Sequence, residues 1–147
     1  MARTIKLKPV TRRNWQAVAG LKLASKQRGL VASSVYSLAE SKFDSAAQPR
    51  AVCSGKRVVG FLMYDVSKSG KKALIYRIMI DRKQQGKGYG RAALAAAVKE
   101  IAKIPGMKKV AICYMAGNDV ARTFYAGFGF RERGRDRDGE VVAELKL

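Results

Sequence analysis

Residues 74 to 104 constrain the fold of this chain more than any other stretch. An apolar run, LIYRIMID, passes through RKQQ into GKGYG and then into RAALAAAVKEIAKI. Leu74 to Ile80 is short, rich in large and β-branched residues, and bounded by Asp81 and a cluster of charge, which is the pattern of a buried strand. Gly86, Gly88 and Gly90 then remove side chains at alternate positions, so backbone N–H groups there can approach a ligand closely. Leu94, Val98 and Ile101 follow at helical spacing among alanines, and Pro105-Gly106 stops the helix. A helix that begins directly after a glycine turn offers its first N–H groups and its positive dipole end to an anion, with Lys87 and Arg91 adding charge. The same glycines can equally serve only to reverse the chain. Two common phosphate motifs are excluded: Arg91 stands where a dinucleotide fingerprint requires its third glycine, and no Gly-Lys-Ser/Thr ending completes a Walker loop.

The flanking segments predict an α/β domain around this unit. Residues 4 to 10 alternate through Ile5 and Leu7 to a stop at Pro9, an opening strand. Thr11 is placed to cap a helix on which Trp15, Val18, Leu21 and Leu23 recur, with Trp15 in the core, and the pattern fades near Gln27-Arg28-Gly29. Val31 to Phe43 reads as a polar linker and a second helix, with Ser37 as cap and Glu40 at capping-box spacing. Gln48 and Pro49 end that region. Arg50 to Ser54, Arg57 to Val66 and Leu74 to Ile80 then form an antiparallel meander. Lys109 to Tyr114 completes a strand–helix–strand crossover with its two strands side by side or splayed. Asn118-Asp119 caps a helix through Val120, Ala121, Phe124 and Tyr125. Residues 131 to 139 read as a hairpin tip, and Glu140 to Leu147 as a closing strand. The expectation is one domain over residues 1–147, a mixed, mostly antiparallel sheet flanked by helices.

Composition narrows the chemistry. The chain has no histidine, which removes His-containing zinc sites, Ser-His-Asp triads and imidazole bases together. Cys53 and Cys113 sit in apolar, strand-like contexts without metal spacing, so reduced buried thiols and no metal are expected. No run is long or apolar enough for a signal peptide or a membrane span, which predicts a soluble cytoplasmic protein. Thirty Lys and Arg against eleven Asp and Glu give a formal charge of +19. Such a field draws anions: a polyanionic cofactor, an acidic substrate, or a nucleic-acid-rich partner such as the ribosome. The charges are spread through the chain, so a merely solubilising surface explains them as well. A homodimer stays open.

The order of elements together with Gln85-x-x-Gly88-x-Gly90 after an apolar strand resembles the GNAT superfamily of N-acetyltransferases over essentially the whole chain. NDVARTFYAGFGF is similar to the N-x-x-A-x-x-x-Y-x-x-x-G-F segment that follows the fifth strand in these enzymes. Within the superfamily, YSLAESKF, VVGFLMYD and IMID before QGKGYG resemble the bacterial spermine/spermidine (diamine) acetyltransferases. The resemblance implies acetyl-CoA as cosubstrate, with the backbone of Ile78, Met79 and Ile80 along its acetyl-pantetheine arm. It places Gln85, Gly86, Lys87, Gly88, Tyr89, Gly90 and Arg91 on the pyrophosphate, Asn118 on the cofactor arm, and Tyr125 as the acid that protonates the departing thiolate. That branch often carries an acidic residue in the strand before IMID, where this chain has Tyr76-Arg77.

The expected reaction is direct attack of a primary amine, most simply a polyamine, on the acetyl thioester. An alkylamine with a pKa of about 10.4 is neutral at pH 7 only about once in 2,500 molecules, so a base must help. With histidine absent, that base is Glu40 through a water or a water chain to solvent. Tyr36, Glu40 and Asp44 recur every four residues and would share one helical face as a seat for the amine. Glu40 as a simple cap partner is the competing explanation. Acetylation of a protein or peptide amine near the ribosome is the alternative acceptor. A non-catalytic basic nucleic-acid-binding module is the alternative class.

Overall fold

The computed structural model describes residues 4–24 and 33–147. Its elements run β1 (Lys6–Pro9), α1 (Trp15–Ala19), α2 (Ser34–Phe43), β2 (Ala47–Ser54), β3 (Arg57–Val66) and β4 (Lys72–Ile80). A 3-10 turn (Arg82–Gln84) leads to α3 (Tyr89–Ala102), followed by β5 (Lys109–Tyr114), α4 (Asp119–Phe128), β6 (Arg131–Arg135) and β7 (Val141–Lys146). The strands form one sheet in the order β1-β2-β3-β4-β5-β7-β6. Every neighbouring pair is antiparallel except β4 with β5. This is the expected mixed, mostly antiparallel sheet, and its one parallel pair is the crossover built on α3.

Two apolar layers fix the helices to the sheet. On one face Leu94, Ala97 and Ile101 of α3 and Tyr125 of α4 pack on Val59, Leu62, Ile75, Val110 and Ile112. On the other, Val18 of α1 and Leu38 of α2 pack on Ala51, Phe61, Met63 and Met79. Burying side chains of this size on both faces removes enough apolar area from water to make the sheet the rigid part of the molecule.

Several local expectations change. Helix α1 stops at Ala19, where the Gly20 N–H bonds the Gln16 carbonyl, and only Val18 of it is buried. Trp15 therefore starts a short helix on its outer side and is 47% exposed instead of core. Ser33, not Ser37, caps α2 by accepting from the Tyr36 N–H, because the helix begins at Ser34. Ser37 lies a turn inside and donates to the Ser33 carbonyl. Gln48 and Pro49 belong to β2 instead of ending before it. β1 pairs only as far as Arg50, so on that edge Pro49 has no ladder bond to lose. Residues 131–139 include a true strand, β6, all of it exposed and heavily charged, as edge strands tolerate. The fading of the first helix near Gln27-Arg28-Gly29 and the linker at Val31-Ala32 lie outside the described residues.

Candidate active site

The parallel pair is short. β4 and β5 are in register from Lys72↔Lys109 to Ile75↔Ile112, and there the pairing ends although β4 runs on to Ile80. The reason lies across the sheet. β3 pairs Tyr64 with Ile75 but Met63 with Arg77, so Tyr76 is an extra residue, a β-bulge that bends the strand away from β5. The strands are thus side by side at first and splayed afterwards. The splay opens a cleft of about 1240 Å³ whose walls include Tyr76 to Ile80, Gln85, Gly86, Gly88, Cys113, Asn118, Tyr125 and Glu140. Beyond Ile75 the β5 side of β4 faces this cleft, where Ile78, Met79 and Ile80 can offer main-chain groups to a ligand.

The glycine turn forms one end of the cleft. Gly86 and Gly88 have φ of 77° and 83°, a left-handed backbone in which an L side chain is strained. Gly88 is the N-cap of α3 and brings no side chain to its first turn, so the helix's leading N–H groups are not capped from within. Gln85 donates from Nε2 to the Ile80 carbonyl at 3.0 Å, tying the turn to the end of β4. Tyr89 is buried with its hydroxyl 3.4 Å from Ser54 Oγ, and Gly90 lies against Ile80 and Phe124. Lys87 is exposed and bonds Gln84, while the Arg91 guanidinium lies over the Phe128 ring. Both cations flank the turn and neither lines the cleft.

Asn118 caps α4 with its side-chain oxygen, accepting from the Ala121 N–H at 3.2 Å, and also lines the cleft. Its NH2 group is therefore the half of the amide left for a ligand. Tyr125, 7% exposed, is held by a stacked Tyr114 ring at 5.8 Å and by edge contacts with Phe124 and Phe130. Burial, helped by nearby Cys113 and Tyr114, pushes its phenol well above the ordinary tyrosine range, so the hydroxyl is a protonated donor at neutral pH.

The expected amine face is not assembled. α2 ends at Phe43, and Asp44 has turned to an extended backbone with its carboxylate accepting from the Ala46 N–H, so it leaves the face of Tyr36 and Glu40. Tyr36 is 61% exposed. Glu40 pairs with Arg77, Oε1 to Nη2 at 3.3 Å, and the same guanidinium donates to Ser37 Oγ and the Tyr76 carbonyl. Arg77 lines the cleft; Tyr36, Glu40 and Asp44 do not.

The opposite wall comes from the β6–β7 turn, which no motif singles out. Asp138, Gly139 and Glu140 face the cleft beside Cys113. Pairing of Tyr114 with Val141 and Cys113 with Val142 carries Glu140 there. The one available signal was the acidic run DRDGE in a chain so rich in cations.

A sheet splayed by a bulge, with a glycine turn and helix N-terminus at one end of the opening and a buried phenol on its wall, is the architecture of a CoA-dependent acyltransferase. Residues 15–130 match the Acetyltransferase (GNAT) family, and the chain belongs to it. It is an N-acetyltransferase with acetyl-CoA as its cosubstrate. The non-catalytic alternative falls with that membership. The chain is similar to a spermine/spermidine N(1)-acetyltransferase of Bacillus subtilis, 28% identical over 98% of this chain and 99% of the relative. Its fold resembles that of AAC(6')-Ib in complex with paromomycin and acetyl-CoA, at a TM-score of 0.80 and 15% identity, covering 97% of this chain and 93% of that one. It also resembles the ribosomal-protein-S18-alanine N-acetyltransferase from Escherichia coli, at a TM-score of 0.74 and 18% identity, covering 98% and 94%. No helix among the described residues is long and apolar enough to cross a membrane.

Proposed function

We propose that the chain transfers the acetyl group of acetyl-CoA to a primary amine of a polyamine or a similar small cationic amine. The observation that carries this is the cleft itself. It runs from the Gly86–Gly88 turn past the main chain of Ile78 to Ile80 to the buried hydroxyl of Tyr125, one continuous path from an anion seat to an acid. The full-length similarity to a spermine/spermidine acetyltransferase supports the choice of acceptor.

In this mechanism the turn, with Gln85 bracing it and Lys87, Tyr89 and Arg91 around it, receives the pyrophosphate. β4 and Asn118 align the pantetheine arm, and main-chain donors of β4 polarise the thioester carbonyl. The amine nitrogen attacks that carbon, the C–S bond breaks, and Tyr125 gives its proton to the departing sulfur. Tyr36, Glu40 and Asp44 stand behind the wall that Tyr76 and Arg77 form, so their proposed part is to set the field felt by the amine. Cytoplasmic location fits the two free thiols.

A panel of polyamines, aminoglycosides, amino acids and basic peptides offered with acetyl-CoA tests the proposal by release of CoA thiol. Fastest turnover with polyamines is the expected result; no release from any amine refutes it. A peptide amine near the ribosome is the second reading, favoured by the +19 charge. It predicts salt-sensitive co-sedimentation with ribosomes and turnover of a basic peptide above that of any polyamine.

A further inference from the structure

We infer that Glu140, carried by the β6–β7 turn, is the general base of the transfer. This rests on the amine-acetyltransferase function proposed above. Glu140 and Asp138 are the only carboxylates among the described residues that line the cleft. The other acids near it are engaged or withdrawn: Glu40 pairs with Arg77, Glu132 with Arg122, and Asp44 with its own turn. No ion pair among the described residues uses Glu140 or Asp138, although cations outnumber acids nearly three to one in the chain.

What holds Glu140 is neutral. The Cys113 thiol lies beside its carboxylate, and the side-chain sulfur of Cys113 and the carboxylate oxygens of Asp136 and Glu140 are within 4.8 Å of one another. Burial first, then the charges of Glu140 and Asp136, push the thiol up to about 12, so it orients the carboxylate without cancelling its charge. The main chain is fixed as well, with the Glu140 and Asp138 N–H groups both donating to Asp136 Oδ1 at 2.9 Å. Cys113 is also close enough to Tyr125 to raise the phenol, and Glu140, Cys113 and Tyr125 all line the same cleft.

The proton balance closes. The arriving ammonium gives one proton to Glu140 and attacks as the free amine. The second proton lost by nitrogen replaces the one that Tyr125 hands to sulfur. Glu140 releases its proton to solvent, and the products are the amide, CoA thiol and one proton.

The test is Glu140→Gln, with steady-state rates for spermidine and acetyl-CoA from about pH 6 to about pH 10, beside calorimetric acetyl-CoA binding. The groups around Glu140 that could shape the profile are Asp136, Asp138, Cys113, Tyr125 and Arg77. We expect kcat/KM to fall about 100-fold near neutral pH and the deficit to shrink below about tenfold at the alkaline end, where free amine is abundant. Acetyl-CoA affinity should be unchanged. A loss under about threefold, or one of equal size at every pH, overturns the assignment. Should the Gln variant fail to bind acetyl-CoA, Glu140→Asp keeps the charge and withdraws it by one methylene. It should lose about tenfold with the same pH trend, and wild-type or pH-independent behaviour there overturns the assignment too. An active wild type with an unaffected variant removes only this inference, whereas a wild type inactive on every amine removes the amine function as well.

Discussion

The two ends of the cleft are made of different material. The donor end is main chain: a bulged strand, two left-handed glycines and a helix with no side-chain cap. The proposed acceptor end is side chain, gathered from β4, β5 and the β6–β7 turn, with Arg77 braced from behind by Glu40. A cofactor of one fixed shape suits a backbone solution that tolerates few changes, as at the first end. Charged side chains on a turn can be exchanged without disturbing the sheet, which suits an end that selects the acceptor.

Tyr125 sits between the two ends and should give the largest effect. Tyr125→Phe keeps the ring contacts with Tyr114, Phe124 and Phe130 but removes the proton donor. We expect kcat to fall about 100-fold, or about 2.7 kcal/mol, with acetyl-CoA affinity intact by calorimetry. Equal losses in binding and turnover would make it a packing residue instead.

Gly88→Val probes the donor end alone. A β-branched side chain at φ 83° is strained and intrudes on the anion seat. The acetyl-CoA Kd should rise about 30-fold, while the amine KM measured at saturating cofactor stays within about twofold of wild type. Movement of the amine KM alone would break the division between the ends.

Arg77→Met probes the acceptor end. It removes a cation from the cleft wall and releases Glu40. The KM for a dicationic amine should fall about threefold at low salt, with acetyl-CoA binding unchanged, and the gain should vanish as salt screens the site. A rise in KM would mean that α2 depends on this residue for its place.

The smallest effect is on stability. Burial is the leading cause that raises the Tyr64 and Tyr76 phenols and the Cys113 thiol each to about 12, from ordinary values of 10.0 for tyrosine and 9.0 for cysteine. These groups bind their protons more tightly folded than unfolded, so their contribution is intact below pH 9 and is lost as pH rises from there toward 12. Urea midpoints should be level at neutral pH and decline in that alkaline window. Gly88→Val, which touches none of them, should shift the curve without changing its shape.

The sequence exposed the donor end because its determinants are contiguous. LIYRIMID, GKGYG and the alanine-rich helix are neighbours along the chain, and each enforces the next. Asn118 and Tyr125 were legible for the same reason, the one capping a helix and the other lying two turns into it. Glu140 could not be seen, because its position depends on which residue of β7 stands beside Cys113, a fact of register that no local pattern records. Trp15 misled through composition: a lone tryptophan at helical spacing looks like core, but Gly20 ends the helix before a second turn can carry it inward. Pro49 misled because a proline reads as a break unless the neighbouring strand is known to stop one residue short of it.

The extra residue at Tyr76 also settles which way the strand looks. Ala73 and Ile75 point into the layer shared with α3, and by strict alternation the next residues to do so would be Arg77 and Met79. Instead Ile78 and Ile80 do, while Tyr76 and Met79 pack in the layer beneath α1 and α2. The inserted position exchanges odd for even halfway along the strand, so β4 is two half-strands of opposite parity joined at one tyrosine. Deleting that single residue would keep Ile78 and Ile80 toward α3 and Met79 toward α2, now by plain alternation, but would remove the bend and let β4 continue alongside β5 where the cleft now opens.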